Sequence, residues 1–550
     1  MKARQTNFWF LSLVIAIASL ILLPLISIAY LAFDNTDAIW AHLFATVLFP
    51  YLTNTALLVV IVGIGAGIIG TSTAWLVTNF SFPGHRVFEW ALLLPMAMPA
   101  YVVAYVYTDL LDYSGPIQTG LREMFGWQTK RDYWFPEIRS LPGAACMLIL
   151  VLYPYVYLLT RSSFVKQARC YLDASRLLGR GPVSSFFSTA LPLVRPALVV
   201  GLALVSMETI ADYGTISYFG VQTLSAGVFD VWLNKQSSAG AAQLALLMLT
   251  VVLTLLFLER YFRRELTTAD RRARFDELVH PRLRPLQGMI ASFVCFLPLL
   301  LGFLLPAIIL LNFSLSYWEQ AWTSKFVSSL FTSLKLSTSV AIVAAICALI
   351  LAYANRLRPS ALLKAFIRVS TMGYALPGAV VALGVLVPFA AFDRWFDGLI
   401  EHSYGIDVGL FLSGSLFAIA FAYLVRFLPI AFGTVESSLE RVTENLDAVS
   451  RTLGNGPFVT LWRVHIPVIK VGLLTSILLV FVDCMKELPA TLLLRPFNVD
   501  TLATYVYQYA SDELLEESAL AALFIVIAGL LPVLFLARAI RTARPGQGGQ

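Results

Sequence analysis

The chain has 550 residues, of which 58% are hydrophobic and only 13% are charged, and its formal net charge at pH 7 is +6. Soluble domains carry roughly 25% charged residues. This shortage of charge, with charge-free runs such as residues 8–33, excludes an ordinary soluble protein and indicates a polytopic membrane protein in a lipid bilayer. The positive charge does not predict nucleic-acid binding, because the cations lie in short loops between apolar segments, where the positive-inside bias places them.

Apolar stretches long enough to cross a bilayer form two sets of six. The first set lies near residues 8–33, 54–78, 88–111, 145–160, 195–219 and 241–258. The second set lies near residues 288–313, 332–354, 366–391, 411–430, 468–494 and 518–538. The first stretch is longer than the apolar core of a signal peptide, so we interpret it as an uncleaved span. We therefore predict an all-α integral membrane protein with about 12 transmembrane helices.

Short sequences recur once in each set of spans. MPAYVVAY at 98–105 resembles LPGAVVAL at 376–383, and Thr223-Leu224 resembles Thr501-Leu502. Repeats at one period predict two homologous six-helix halves related by a pseudo-twofold axis along the membrane normal. The predicted division is a first half at 1–258, an arginine-rich cytoplasmic linker at 259–287 and a second half at 288–550.

The loop charges predict an orientation. Basic residues cluster at the N-terminus, at 161–180, at 259–284, at 356–368 and at the C-terminus. Counting spans puts all of these clusters on one side, which the positive-inside rule makes cytoplasmic, together with both termini. Acidic residues collect in the loops near 34–41, 393–407 and 498–517, which fall on the other side.

The most specific repeat is polar. Residues 172–192 read LDASRLLGRGPVSSFFSTALP, and residues 446–467 read LDAVSRTLGNGPFVTLWRVHIP, with Gly179 and Gly454 separated by 275 positions. Glycine tolerates the left-handed conformation that ends a helix, and proline suits the first position of the next helix. Each copy therefore predicts a helix–turn–helix. One copy alone could be an ordinary interhelical loop, but two copies with identical Gly-to-Pro spacing predict a docking site that a soluble partner uses twice.

Both copies resemble the EAA loop of ATP-binding-cassette (ABC) importer permeases, whose consensus places E-A-A ahead of a glycine and ends in Leu-Pro. In the loop at 168–192 the matching residues are Asp173, Ala174, Ser175, Gly179 and Pro192. In the loop at 442–467 they are Ala448, Val449, Ser450, Gly454 and Pro467. The acidic residue is missing from its slot in the second loop, and Asp447, one residue earlier, is the candidate replacement.

The resemblance implies a fold, partners and an energy source. It implies a type I ABC importer permease, multi-pass in a bacterial inner membrane, with two cytoplasmic ATPase subunits and a periplasmic substrate-binding protein as partners. ATP would be hydrolysed by the partner subunits, and no cofactor is expected on this chain, which has no GxxxxGK[ST] phosphate loop and is not expected to be an enzyme.

A narrower resemblance concerns the cargo. The segments 208–224 and 483–502 look like those of fused, two-half permeases of ferric-iron importers. Permeases for polyamines, thiamine, sulfate and phosphonates are relatives, so these cargoes stay open as alternatives.

Acidic residues inside the predicted spans are candidates for a substrate pathway. They occupy equivalent positions in the two halves, with one additional lysine: Glu208, Asp212, Asp483, Lys486 and Glu487. Acids at membrane depth usually face a cavity or a partner, and trivalent iron prefers oxygen ligands. The structural alternative is that Asp483 pairs with Lys486 and that the acids cap helix ends. Arg426 is expected to extend to the cytoplasmic face.

Two other functional classes fit less well. A secondary transporter also uses two six-span halves, but it gives no reason for twin Gly–Pro loops. A membrane enzyme needs a clustered constellation, and no HExxH or GxSxG motif is present. The five cysteines and five histidines are dispersed without a CxxC pair, which argues against a disulfide framework and a zinc site.

Overall fold

A computed structural model describes residues 2–33, 37–166, 181–270, 281–357, 360–404 and 409–542, together with Ser175, Leu177 and Gly179. To residue 270 the described α-helices are α1 (Lys2–Leu31), α2 (Asp37–Thr46), α3 (Leu48–Asn79), α4 (His85–Ala91), α5 (Ala100–Leu111), α6 (Pro116–Phe125), α7 (Leu141–Lys166), α8 (Pro182–Ser185), α9 (Leu191–Ala211), α10 (Gly214–Tyr218), α11 (Leu224–Phe229) and α12 (Ser238–Asp270).

The remaining described α-helices follow residue 280. They are α13 (Pro285–Leu299), α14 (Leu305–Ser316), α15 (Trp318–Ala321), α16 (Ser324–Leu357), α17 (Ala361–Ser370), α18 (Gly378–Tyr404), α19 (Leu416–Glu440), α20 (Glu444–Thr452), α21 (Pro457–Thr460), α22 (Ile466–Met485), α23 (Pro489–Leu494), α24 (Leu502–Ser511) and α25 (Leu515–Thr542). Short 3-10 turns (Leu94–Ala97, Gly373–Ala375) and π turns (Phe186–Ala190, Asp230–Asn234, Leu300–Leu304, Leu461–His465) complete the helical segments.

The helices confirm the predicted membrane-spanning architecture. Eleven helices in the described part of the chain are long and apolar enough to cross a bilayer. His85–Ala97 and Ala100–Phe125 meet at 89° and, counted as one bent span, bring the number to 12. Helices suit a bilayer because they satisfy every backbone hydrogen bond within the segment.

Several predicted span boundaries were displaced: the spans near 195–219 and 468–494 end earlier, at Ala211 and Met485, and the span near 366–391 begins later. The stretch near 366–391 does not form one helix, because residues 361–370 form the separate amphipathic helix α17 and the spanning helix α18 begins at Gly378. The break lies at Pro377, which lacks a backbone N–H and disfavours helical conformation in the residue before it.

The packing divides the chain differently from a simple cut in the middle. One compact unit, unit 1, comprises Met1–Leu43, Gly227–Leu249 and Trp322–Tyr505. The other, unit 2, comprises Phe44–Ala226, Thr250–Ala321 and Val506–Gln550. The division at 258 and 288 therefore stays a prediction about the sequence repeat. In the structure, unit 1 contains α1 of the first repeat, and unit 2 contains α25 of the second repeat.

Unit 1 is built on three mutually packed helices, α16, α19 and α22. The N-terminal helix α1 lies against α17 and α18 of this unit. Its approach to α18 is close at Gly384, where an added Cβ atom would lie 2.8 Å from the Cβ of Pro24 and would collide with the Pro24 carbonyl oxygen. A glycine at this position therefore permits backbone contact between the two helices.

Unit 2 repeats this arrangement with α3, α7 and α9 packed on one another. Helix α14 contacts α25 within the same unit, and the Tyr107 hydroxyl of α5 donates a 2.7 Å hydrogen bond to the Leu301 carbonyl oxygen. The two units thus have corresponding three-helix centres.

A repeated hydrogen bond supports the internal symmetry. In unit 2 the backbone N–H of Leu224 donates to the hydroxyl of Thr55 at 3.0 Å. In unit 1 the backbone N–H of Leu502 donates to the hydroxyl of Ser333 at 2.7 Å. The Thr-Leu pairs that recur in the sequence therefore begin corresponding short helices, each tied to the second spanning helix of its repeat.

Candidate functional site

The second polar repeat forms the predicted helix–turn–helix. Helix α20 is followed by the left-handed Gly454, with φ of 77°, and the Asn455 N–H donates to the Ser450 carbonyl oxygen at 3.1 Å. This is the hydrogen bond of a Schellman cap, which satisfies the last carbonyls of a helix. Pro457 then occupies the first turn of α21, and a π turn at Leu461–His465 leads into the spanning helix α22.

The first repeat has the same construction where the structure describes it. Gly179 is left-handed, with φ of 80°, and α8 begins at Pro182. A π turn at Phe186–Ala190 then leads into α9. The predicted first helix of this repeat lies mostly outside the described residues, as do Asp173 and Ala174.

A buried hydroxyl pair connects the two sides of the turn in each loop. Ser175 Oγ and Ser185 Oγ lie 3.0 Å apart, and the equivalent Ser450 Oγ and Thr460 Oγ1 lie 2.8 Å apart. Buried hydroxyls need such partners, because an unpaired buried polar group is costly. The serine in the last E-A-A slot of each copy is therefore an internal brace, a role that the sequence pattern did not reveal.

The left-handed turn predicts a specific response to substitution of Gly454. An added Cβ has open space, so the strain lies in the backbone alone. Valine should destabilise the turn by about 1–2 kcal/mol, whereas asparagine, which tolerates the left-handed region, should leave it nearly unchanged. Hydrogen exchange of peptides covering 444–460 measures this: valine should speed exchange roughly 5- to 30-fold.

The matched control lies two residues away. Gly456 has φ of −74° and equally open space, so Gly456→Ala strains no left-handed turn and should speed exchange less than Gly454→Val does. Equal acceleration by Gly454→Asn and Gly454→Val would contradict the assignment of the effect to backbone conformation.

Asp447 is held inside unit 1 by two partners. Its Oδ2 lies 2.7 Å from Nη2 of Arg356, at the end of α16, and its Oδ1 lies 2.6 Å from Nε2 of the buried His465. Arg356 also donates to the carbonyl oxygens of Leu439 at 2.6 Å and Val442 at 2.8 Å. The aspartate therefore fastens the loop to its own membrane domain.

An aromatic contact attaches the first loop to unit 2 in the part of the loop that the structure describes. Trp75 of α3 contacts the rings of Phe164 and Phe186, with centroid separations of 5.3 Å for each pair. Arg161, near the end of α7, forms an ion pair with Glu89 of α4. Among the described residues, the contact of Trp75 with Phe186 of the first loop is aromatic, and the contact of Arg356 with Asp447 of the second loop is ionic.

Two of the candidate pathway acids cap short helices. Asp212 Oδ1 accepts from the N–H groups of Thr215 at 3.0 Å and Ile216 at 3.2 Å, at the start of α10. At the equivalent position, Glu487 accepts from the N–H groups of Ala490 and Thr491, both at 3.2 Å, at the start of α23. Carboxylates are favourable at helix N-termini, so both acids have the capping role of the structural alternative.

The other members of the set have different surroundings. Asp483 and Lys486 pair at 2.7 Å, also as the structural alternative proposed. Glu208 lies half-buried on α9. In the described ranges no three His, Cys, Asp or Glu side chains come together as a metal-binding group. The pathway role of these residues stays a prediction.

Arg426 does not extend to solvent, so the expectation that it reaches the membrane surface was wrong. Its side chain is 13% exposed, and its Nη1 lies 2.5 Å from Oε1 of Glu487, whose side chain is 2% exposed. The guanidinium is instead paired inside unit 1 with the buried carboxylate of Glu487, 61 positions away in the chain.

The two repeated regions match a known family. The model of the family described as "Binding-protein-dependent transport system inner membrane component" matches residues 63–268 and 341–543. The chain belongs to this family. Each matched region contains one of the two polar loops, so the permease carries the family's domain twice in one chain, as the resemblance to a fused ABC importer permease implied.

Individual relatives of the permease are named for the transport of iron or of sulfate. It is 26% identical over 539 residues to the Fe(3+)-transport system permease protein FbpB 2 of Haemophilus influenzae, covering 97% of this chain and 98% of the relative. It is 20% identical to the ferric transport system permease protein FbpB of Actinobacillus pleuropneumoniae, covering 84% and 67%. The sulfate transport system permease protein CysW of Escherichia coli is 26% identical, covering 38% and 71%.

Proposed function

We propose that this permease imports ferric iron across the bacterial inner membrane, with the two helix–turn–helix loops receiving two cytoplasmic ATPase subunits. The observation that carries this proposal is the recurrence of one turn geometry, left-handed glycine, proline-started helix and π turn, in both family regions. Because the loop occurs at equivalent positions of the two family regions, it suits a partner that is present in two copies, as two ATPase subunits would be.

The energy for import would come from those partners. ATP binding would close the ATPase dimer, move the docked loops and rock the membrane domains, so that access to a central path alternates. Both termini and both loops would face the cytoplasm, and a periplasmic binding protein would deliver the cargo on the opposite side. The internal anchors at Trp75 and Arg356 support this proposal, because a loop fixed to its spanning helices can pass on a displacement.

Ferric iron is favoured over the other cargoes by the extent of similarity. The iron relative from Haemophilus influenzae matches over nearly its whole length and that of this chain, whereas the sulfate relative covers 38% of this chain. The relative that matches this fused double permease over nearly the full length of both chains is therefore one named for iron transport.

Reconstitution tests the function. The full chain in proteoliposomes, with its ATPase inside and a ferric-binding protein outside, should take up radiolabelled iron only when ATP is hydrolysed. Sulfate, polyamine, thiamine and phosphonate serve as competing cargoes, each with its own binding protein. Uptake by the chain without an ATPase would support a secondary transporter instead, and ATP-driven uptake of another cargo would retain the importer while rejecting iron.

A separate variant tests the pathway hypothesis. Because Asp212 caps α10, its replacement would disturb folding as well as transport. Glu208→Gln is the cleaner change: it should reduce iron uptake while leaving ATPase binding intact. Normal uptake by this variant would exclude Glu208 from the path.

A further inference from the structure

An open groove runs between α3 and α9 of unit 2, two helices that are long and apolar enough to span the membrane. Residues between Val59 and Ser72 form one wall, residues between Leu191 and Ser206 form the other, and the π turn with Phe186 lies at one end. The groove has a volume of about 600 Å³, and no charged side chain lines it. Because water is absent from the bilayer core, hydrocarbon must fill this space.

Two glycines of α3 make room for the groove. An added Cβ at Gly63 would meet nothing within 4 Å. An added Cβ at Gly67 would meet only the flexible end of the Leu202 side chain, at 3.3 Å. The space beside these glycines is therefore open to a ligand and is not filled by the protein itself.

One polar group in the groove has no partner. Thr71 lines the groove and is only 5% exposed, yet its hydroxyl has no hydrogen-bond partner in the part of the chain that the structure describes. The neighbouring Ser72 hydroxyl instead donates to the Ile68 carbonyl oxygen of its own helix at 2.6 Å. A buried hydroxyl without a partner is costly, so an oxygen atom of a ligand is expected beside Thr71.

A cation lies on the groove side of α9. Arg195 follows Leu191 by four residues and precedes Leu198 by three, which is the spacing of one helical stripe, and both leucines line the groove. The Arg195 side chain is exposed, and within the described ranges no carboxylate forms a salt bridge with it. Helix α3 has no charged residue, and Glu208, the other charged residue of α9, lies 13 positions further on. An arginine on a spanning helix extends to the headgroup level of the bilayer.

Two contacts place the hydroxyl and the guanidinium at one end of the groove. The rings of Trp75 and Phe186 have centroids 5.3 Å apart, and Leu202 lies against Gly67. Helices α3 and α9 are therefore antiparallel here. Thr71 lies midway between Gly67 and Trp75 in the sequence, so it is level with the first turns of α9, which carry the arginine. The groove thus has an apolar length and a polar, basic end.

The corresponding positions of unit 1 have neither the glycines nor the hydroxyl. The equivalent hydrogen bonds of Thr55 and Ser333 relate α3 to α16 by a shift of 278 positions, from 55 to 333. The same shift places Ala341 and Ala345, which are 0% and 2% exposed, at the two glycine positions. It places Leu349 at the position of the groove threonine. The combination of open glycines and a buried hydroxyl is therefore particular to α3.

The dimensions of the groove distinguish a lipid chain from a helix. Spread along the 13 residue steps from Val59 to Ser72, about 20 Å of helix, the volume corresponds to a channel about 6 Å wide. A helix with its side chains is about 10–12 Å across. The groove is therefore too narrow for a helix, whereas a single hydrocarbon chain fits along it.

We propose that this groove binds one acyl chain of an anionic phospholipid, with the lipid phosphate on Arg195 and a lipid oxygen accepting a hydrogen bond from Thr71. The lipid belongs to the leaflet on the side of the first polar loop, because the π turn with Phe186 and Phe187 is part of that loop. The bound chain packs against this turn and so supports the loop from the membrane side. This inference does not depend on the cargo of the permease.

A photoreactive phosphatidylglycerol, with the reactive group on its acyl chain, tests the site on the full chain in detergent. It should label α3 between residues 59 and 72, as mapped by mass spectrometry after proteolysis. Unlabelled phosphatidylglycerol should compete about fivefold better than zwitterionic phosphatidylcholine with the same chains, the expected effect of one arginine on an anionic headgroup. Equal competition by the two lipids, or no label in this segment, would overturn the proposal.

Filling the groove provides a variant that should still fold. Gly63→Leu adds a side chain where the Cβ meets no atom, and leucine has the higher helix propensity. Labelling of α3 should fall by about tenfold or more. The matched control is Gly433→Leu on α19 of unit 1, where an added Cβ also meets nothing within 4 Å. Unchanged labelling in Gly63→Leu would contradict the proposed position of the chain.

Two further variants separate the headgroup contact from the hydroxyl contact. Arg195→Gln should abolish the preference for phosphatidylglycerol, whereas Lys470→Gln, at the exposed lysine 275 positions later in unit 1, should retain it. Thr71→Val keeps the shape of the side chain and should weaken competition by both lipids alike, roughly 2- to 10-fold. A preference that survives in Arg195→Gln would overturn the phosphate contact, and unchanged competition in Thr71→Val would overturn the hydroxyl contact.

A second copy of the chain is the competing occupant, because Gly63 and Gly67 have the spacing that permits close packing of membrane helices. Light scattering of the purified chain distinguishes the two. A monomer whose groove is labelled by the lipid supports the proposal. A dimer whose groove is not labelled would identify a second copy as the occupant and would overturn it.

Discussion

Replacing Glu487 by alanine is expected to lower the free energy of unfolding by about 3–5 kcal/mol, because it leaves Arg426 charged, buried and without its carboxylate. The same change removes the acceptor for the first N–H groups of α23. A denaturant titration of the purified chain in detergent, followed by helical circular dichroism, measures the loss. Double replacement with Arg426→Met should recover much of it, since no uncompensated charge then remains.

Two other acids of the same set provide controls. Asp212→Asn removes a charge that caps α10 and should cost about 1 kcal/mol, because the amide oxygen still accepts the hydrogen bonds. Asp483→Asn breaks a partly exposed pair with Lys486 and should cost at most about 1 kcal/mol. Similar losses for all three variants would contradict the distinction between a buried ion pair and a capping or surface contact.

Replacing Gly384 by alanine is expected to destabilise unit 1 by about 1–3 kcal/mol through overpacking. The new Cβ would meet backbone atoms of Pro24, so the helix α1 as a whole must move, because no flexible side chain is available to give way. The measurement is the same titration, with limited proteolysis as a second readout. Cleavage near the N-terminal helix should become faster if α1 separates from α18.

The same helix provides the control. Gly398 also lies in α18, but an added Cβ meets nothing within 4 Å. Gly398→Ala should therefore be neutral or should stabilise the helix by up to about 1 kcal/mol, because alanine has the higher helix propensity. If Gly398→Ala lowered the free energy of unfolding as much as Gly384→Ala does, the effect would come from reduced flexibility of α18 and not from its contact with α1.

The sequence by itself determined the membrane-spanning pattern and the loop turns. Hydropathy predicted the spans because each spanning helix satisfies its own backbone hydrogen bonds, which makes the signal local. The turns at Gly179 and Gly454 were predictable for the same reason: a left-handed residue and a following proline are properties of a few adjacent positions.

Only the tertiary structure decided which side chains meet. Asp447 pairs with Arg356, which is 91 positions away in the sequence, and Glu487 pairs with Arg426, which is 61 positions away. The sequence pattern indicated that these acids are unusual. It could not show whether each acid lines a pathway, caps a helix or forms an ion pair, because that role depends on the side chains of the neighbouring helix. The exchange of α1 into unit 1 is also invisible in hydropathy, since a spanning helix is apolar whichever partner it packs against.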